Sequence, residues 1–123
     1  MRKYKNKKVT VDGILFDSQA EASRYLYLKS LLRSGKITEL ELQKKYEVIP
    51  AQYKIYKRYG RGGKQLKDGK VCLERSVAYI ADFVYKDSAG NVVVEDVKGK
   101  RTKDYIIKRK LMLQVHNIQI KEV

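Results

Sequence analysis

Two apolar segments joined by a short polar turn constrain the fold of this chain more than any other feature. Residues 79–85 read YIADFVY, and residues 92–99 read VVVEDVKG. The connection contains aspartate, serine, glycine and asparagine, which are typical turn residues, so the pair predicts an antiparallel hairpin with a loop over Asp87–Asn91. With that loop centred, Tyr85 faces Val93, and the same register can be followed toward the acidic end of the hairpin.

This register brings two acids face to face. Asp82 then lies opposite Asp96, and Cβ atoms of such partners are roughly 4.5–5.5 Å apart, which is destabilising for like charges. Asp82 also lies inside an apolar run, where an unpaired acid is costly, so a cation between the two acids is expected. Because side chains alternate along a strand, Lys98 shares the face of Asp96, whereas Glu95 and Val97 point the other way.

These side chains meet the requirements of a magnesium site. Val92 and Val94 are expected to anchor the strand in the core, while Asp96 and Lys98 project from its end. Mg²⁺ prefers hard oxygen ligands and often uses only one or two carboxylates with a substrate phosphate. A lysine beside the ion can hold or deprotonate an attacking water. The alternative is that Asp82 and Asp96 are solvated edge residues and that Lys98 is a simple ion-pair partner.

The scarcity of histidine and cysteine excludes other chemistries. Cys72 is the only cysteine and His116 the only histidine, so an internal disulfide and a cysteine-based zinc site are excluded, and a histidine-dependent triad is disfavoured. The N-terminus lacks the apolar segment of a signal peptide, and no run approaches the ~20 apolar residues of a membrane span. We therefore expect a cytoplasmic protein without a membrane partner.

The charge predicts a polyanionic partner. The chain has 28 Lys and Arg against 14 Asp and Glu among its 123 residues, which gives a net charge of +14. Basic side chains that neutralise phosphates release counterions, so this excess favours nucleic acid over a merely soluble basic protein or one that contacts anionic lipid. We expect residues 1–8 to form a basic arm and residues 57–70 a flexible basic loop or hairpin tip with its turn at Asp68-Gly69. Further candidates for DNA contacts near the acids are Lys100, Arg101, Lys103, Lys108, Arg109 and Lys110.

The rest of the sequence predicts one domain, residues 1–123, in the α/β or α+β class. Ser18 and Glu21 form a capping box that begins a helix, and Gly35 lies where it should end. The other predicted elements are a hairpin over residues 9–16, two strands or one bent strand from Leu40 to Ile55 broken at Pro50, a strand within residues 71–85, a helix over residues 102–115 with Ile107, Leu111 and Val115 on its apolar face, and a strand over residues 118–123.

At its acidic residues the chain resembles the PD-(D/E)xK nuclease superfamily. Ala81-Asp82 matches the PD element, Asp96-Val97-Lys98 matches (D/E)xK, and Glu21 matches the acid of the first helix. The departures are Ala81 in place of proline and Asp96 in place of the commoner glutamate. Over nearly the whole chain, the sequence is similar to a small family of phage-encoded proteins of this superfamily.

The resemblance implies a restriction-endonuclease-like αβββαβ core, with a mixed central sheet flanked by helices, and phosphodiester cleavage that depends on Mg²⁺ or Mn²⁺. It further implies that Asp82, Asp96 and the Val97 carbonyl bind the metal and that Lys98 positions the water. Glu21 would assist as a ligand or through water, although its capping box alone would account for this glutamate.

The small, basic architecture is most similar to phage endonuclease I-type and archaeal Holliday junction resolvases, which act as dimers on branched DNA. We therefore expect a homodimeric, structure-selective endonuclease for branched or nicked DNA, in DNA recombination. The alternatives are a nonspecific or nicking phage nuclease in replication or packaging, a noncatalytic DNA-binding module, and an RNA-binding accessory protein.

Overall fold

The computed structural model describes residues 7–123, so most of the predicted basic arm, residues 1–8, lies outside the described residues. In chain order the elements are β1 (Val9–Val11), β2 (Ile14–Phe16), α1 (Gln19–Arg33), β3 (Thr38–Ile49), β4 (Gln52–Tyr59), a single 3₁₀ turn (Arg61–Gly63), β5 (Gln65–Glu74), β6 (Val77–Lys86), β7 (Val92–Asp96), α2 (Lys103–His116) and β8 (Lys121–Glu122). None of the helices in this part of the chain is long and apolar enough to cross a membrane.

The central sheet has the strand order β3-β6-β7-β8. The first three strands are antiparallel, and β8 runs parallel to β7, so the sheet is mixed. Together with α1 and α2, these strands follow the order αβββαβ, and the predicted α+β class is confirmed. Two hairpins are added to this core: β1–β2 precedes it, and β4–β5 is inserted between β3 and β6.

Helix α1 begins and ends where the sequence predicts. The Ser18 hydroxyl accepts a hydrogen bond of 3.2 Å from the Glu21 amide, which satisfies one of the unpaired amides of the first turn. At the other end, Gly35 has a φ of 77°, and its amide donates to the Leu32 carbonyl. A left-handed residue of this kind stops the helix and is most easily glycine.

The register of the β6–β7 hairpin is also confirmed. Tyr85 pairs with Val93, and Phe83 pairs with Glu95. The carboxylate of Asp87 holds the turn, because one of its oxygens accepts hydrogen bonds from two backbone amides, those of Ala89 and Asn91. A rigid turn fixes which side chains face each other at the far end of the hairpin.

The expected turn at Asp68-Gly69 is wrong. Both residues lie within β5, and the chain reverses six residues earlier, at Gly62-Gly63, where the Gly60 amide donates to the Lys64 carbonyl. Two consecutive glycines with positive φ in the RGG tip make that reversal possible. Gly69 instead pairs with Tyr56, whose ring lies over it. As a result, residues 71–85 contain the end of β5 and all of β6 except its last residue, Lys86, rather than one strand.

The core lies on both faces of the sheet. Phe83 packs with Leu28 of α1 on one face, and Val94 packs with Met112 of α2 on the other. Val92 was expected to be an anchor, but it is 55% exposed because it begins the strand beside the surface turn. Of the two valines that were expected to anchor β7, only Val94 is buried in the core.

The predicted apolar face of α2 is also partly wrong. Ile107 and Val115 are more than half exposed, and Leu111 is half-buried, whereas Tyr105 and Met112 are buried. Tyr105 and Met112 face the sheet, Leu111 packs partly against the same core, and Ile107 and Val115 lie on the solvent side. Spacing alone does not distinguish between these two sides of the helix.

This difference predicts opposite outcomes for two substitutions in one helix. Met112 is fully buried, so Met112→Ala should lower the free energy of unfolding by about 2–5 kcal/mol. Val115→Ala should change it by less than about 0.5 kcal/mol, because the side chain already contacts solvent. Chemical denaturation of both variants measures the difference, and equal losses would contradict the orientation of α2.

Glu122 joins β8 to the segment that carries α2. Its carboxylate accepts hydrogen bonds from Arg101 at 2.8 Å, Tyr105 at 2.6 Å and Arg109 at 2.9 Å. The Arg101 guanidinium, followed by the tyrosine and Arg109, lowers the pKa of Glu122 from 4.5 to about 2.

A pKa that is lower in the folded protein implies stability that is complete above pH 4.5 and disappears as the pH falls toward 2. Glu122→Gln should therefore lower Tm at pH 6, and the difference from the unmodified protein should shrink progressively below pH 4.5. Glu41→Gln is the control, because Glu41 makes only an exposed ion pair with Lys44. A Tm difference that stays constant with pH would contradict the role of Glu122.

Candidate functional site

The structure brings Asp82, Asp96 and Lys98 together at the acidic end of the β6–β7 hairpin. The paired residues of β6 and β7 end at Phe83 and Glu95, which Asp82 and Asp96 directly adjoin, and the side chains of Asp82, Asp96 and Lys98 line one open cavity of about 280 Å³. The backbone amide of Val97 donates a hydrogen bond of 2.8 Å to Asp82, which fixes the direction of that carboxylate.

Asp96 is almost fully buried, with 3% of its surface exposed. Its Oδ2 accepts a hydrogen bond of 2.5 Å from the Tyr79 hydroxyl. Its Oδ1 lies at an ion-pair distance of 3.0 Å from Lys98 Nζ but accepts no hydrogen bond. Among residues 7–123, this oxygen is the only buried side-chain oxygen or nitrogen without a hydrogen-bond partner. An unsatisfied buried carboxylate oxygen next to a cavity fits an additional cationic ligand.

The charges around the cavity are crowded. Burial raises the pKa of the Asp82 carboxyl, and the Asp96 charge raises it further, although the Val97 amide opposes them. Burial followed by the charges of Asp82, Asp17 and Asp96 raises the pKa of Glu21 to about 7. Burial and the neighbouring Asp96 carboxylate also hold the pKa of Tyr79 well above its usual range. A bound cation would lower the electrostatic cost of this arrangement.

Glu21 approaches the site from the first turn of α1. It lines a second cavity, of about 230 Å³, together with Val97 and Lys98. Within the described residues, no group of three or more His, Cys, Asp or Glu side chains is arranged to hold a metal ion. Asp82 and Asp96 line one cavity and Glu21 the neighbouring one, with Lys98 lining both, and two carboxylates are within the usual complement for Mg²⁺.

A family model described as "Protein of unknown function (DUF1064)" matches residues 1–123. The chain belongs to the DUF1064 family. No curated protein and no solved structure matches it. The description of the DUF1064 family assigns no activity, so the chemistry has to be argued from the site itself.

Sequence reasoning missed three residues that surround the acids in this DUF1064 protein. Tyr79 binds Asp96, and the ring of Tyr105 lies with its centroid 4.2 Å from Lys98 Nζ. Gln43 lies across from Asp82 in the β3–β6 register and has a φ of 53°, which is a strained backbone for a residue other than glycine. Both tyrosines were hidden in apolar patterns, and no local signal indicated Gln43.

The predicted DNA-binding residues differ in their surroundings. Lys108 lines the same cavity as the two acids. Arg101 and Arg109 are engaged by Glu122, so part of their charge serves the fold. Lys100 and Lys103 are exposed beside the site.

Proposed function

We propose that the chain is a DNA endonuclease of the PD-(D/E)xK superfamily that depends on Mg²⁺ or Mn²⁺. One observation carries the proposal: the buried Asp96 lines one cavity with Asp82 and Lys98, and one of its oxygens has no hydrogen bond and only the Lys98 amine as an ion-pair partner. Two acids beside a single lysine leave an excess of negative charge at this cavity, which is suited to a divalent cation.

Asp82 and Asp96 would hold the ion, with the Val97 carbonyl and Glu21 as further oxygen donors. A bound ion supplies Lewis-acid stabilisation of the charge that develops on the phosphate. The protein prepares this site through hydrogen bonds: the Tyr79 hydroxyl orients Asp96, and the Val97 amide orients Asp82.

The Nζ atom of Lys98 would position the attacking water. Its side chain is 24% exposed, so the amine reaches solvent while it stays 3.0 Å from Asp96. The Tyr105 ring lies beneath the amine and limits its positions. From there Lys98 can hold a water next to a phosphate and accept or relay its proton.

We further propose branched or nicked DNA as the substrate, a homodimer as the active form, and a role in DNA recombination. The excess of basic residues supports a polyanion, and phosphate contacts carry no sequence information, which favours recognition of DNA shape. A cytoplasmic location, in the bacterial host if the chain is phage-encoded, stays a prediction.

The decisive experiment is a cleavage panel of linear, nicked, flapped and four-way DNA with Mg²⁺, Mn²⁺ or EDTA. We expect cleavage with either metal, none with EDTA, and the fastest cutting on nicked or four-way DNA. Equal cutting of all substrates would favour the nonspecific or nicking nuclease. Tight binding without cutting in either metal would contradict the proposal and leave a DNA-binding module.

A further inference from the structure

The β4–β5 hairpin, residues 52–75, stands apart from the sheet, and we refer to it as the ribbon. Among the described strands, β4 and β5 pair only with each other. Every residue of β4 is exposed, and within β5 only Gly69 is buried, beneath the ring of Tyr56. At about 3.4 Å per residue, the ribbon is roughly 30 Å long. An isolated two-stranded hairpin is only marginally stable in water, so the ribbon stands to gain from a partner.

The charge of the ribbon indicates which partner. It contains eight lysines and arginines but only two acids. One of those acids, Asp68, makes a long ion pair of 3.9 Å with Lys57, and Lys70 Nζ lies 3.9 Å from the centroid of the Tyr53 ring. The basic residues are distributed over both strands and the tip: Lys54, Lys57, Arg58, Arg61, Lys64, Lys67, Lys70 and Arg75.

This charge favours a polyanion over a second copy of the chain. Exposed apolar side chains such as Ile55 and Leu73 could pack against another ribbon. However, two ribbons with the same large positive excess would repel each other on close approach. A polyanion gains from the same charges through counterion release.

We propose that the ribbon lies in the major groove of duplex DNA and contacts phosphates on both sides of that groove. The groove is about 12 Å wide and admits a two-stranded β-ribbon. Basic residues on each strand can then reach the phosphates that border it. This inference takes the class of partner from the proposed function and adds the surface and the groove by which the DNA is held.

The position of the ribbon relates the proposed DNA-binding surface to the acids of the cleavage site. The ribbon follows Ile49, which pairs with Val77 at the start of β6, and Asp82 lies about 17 Å further along that strand. The ribbon and the acids therefore fit within about 50 Å of one DNA, or roughly 15 base pairs. The ribbon holds a duplex arm while the acids act next to it.

The test measures DNA binding in EDTA, where cleavage plays no part. Arg58→Gln with Lys67→Gln removes two charges from the ribbon, and Arg33→Gln with Lys36→Gln removes two exposed charges near the end of α1. For a roughly 30-base-pair duplex at 0.1 M salt, we expect the ribbon variant to bind on the order of 50-fold more weakly and to lower the salt slope by about 2. The α1 variant should stay within about 3-fold of the unmodified protein.

Dimethyl sulfate probing tests the groove, because guanine N7 lies in the major groove. We expect the unmodified protein to protect N7, and the ribbon variant to lose that protection. Unchanged affinity of the ribbon variant, or no protection of N7, would overturn the proposal. So would a ribbon variant that loses self-association but binds DNA normally, since the occupant would then be a second copy. Ribbon-dependent binding without cleavage would leave this inference standing and contradict only the nuclease.

Discussion

Asp96→Asn should lower the rate of Mg²⁺-dependent DNA cleavage by roughly 10²–10³-fold or more, while DNA affinity stays equal or rises. The amide keeps the size of the side chain and can still accept the hydrogen bond of the Tyr79 hydroxyl. It removes the negative charge that attracts the cation. It also replaces one of the two carboxylate oxygens, which could bind the cation, with an NH₂ group, which cannot. Binding is retained because less negative charge faces the DNA phosphates.

Asp104→Asn is the matched control for this substitution. Asp104 lines the same cavity, is exposed at the start of α2, and carries the same charge, but it lies outside the hairpin. We expect its cleavage rate to stay within about 3-fold, whereas Asp82→Asn and Lys98→Ala should lose cleavage as Asp96→Asn does. If Asp104→Asn were equally inactive, the total charge of the cavity would explain the loss. If Asp96→Asn retained full activity, the cleavage would originate elsewhere.

The sequence was sufficient to predict that Asp82 and Asp96 lie close together, because local rules determine the register of the β6–β7 hairpin. Two apolar runs, a turn of fixed length and the alternation of strand side chains are enough to align Tyr85 with Val93. The register then extends to Asp82 and Asp96 without any knowledge of the rest of the fold. The same holds for α1, whose ends are determined by Ser18 and Gly35.

The other parts depend on contacts between residues that are distant in sequence. Residues 57–70 of the ribbon were predicted as a flexible loop or a hairpin tip with its turn at Asp68-Gly69, because their glycines and charges resemble loop composition. Gly69 is instead the place where the ring of Tyr56 lies across the partner strand, and only pairing reveals this. The burial of Met112 in place of Val115 likewise follows from which stripe of α2 meets the sheet.

Glu95 is the residue whose role was least accessible from the sequence. It was predicted to point away from the acids, and it lies completely buried on the side of the sheet that faces α1. Arg24 of α1 donates two hydrogen bonds to its carboxylate, of 2.8 Å and 2.6 Å, and the Tyr85 hydroxyl donates a third. These groups join α1, which carries Glu21, to the strand that carries Asp96. The pairing spans 71 positions, so no local pattern reveals it.

Arg24→Met should therefore lower the free energy of unfolding by about 3–5 kcal/mol. Glu95 would keep a charge in a site without solvent, with the Tyr85 hydroxyl as its nearest donor and Lys121 Nζ 4.0 Å away. Breaking one side of a buried ion pair is costly for this reason, whereas replacing both sides with apolar groups of similar size is often neutral. The double variant Arg24→Met with Glu95→Met should accordingly recover most of the lost stability.

Arg33→Met provides the control for Arg24→Met on the same helix. Arg33 is exposed in the last turn of α1, so its replacement should change the free energy of unfolding by less than about 0.5 kcal/mol. Urea denaturation of the two single variants and the double variant gives all three values. A double variant no more stable than Arg24→Met would show that lost packing around the arginine, rather than an unpaired Glu95 charge, causes the effect. Equal stability of Arg24→Met and Arg33→Met would show that the connection between α1 and β7 contributes little.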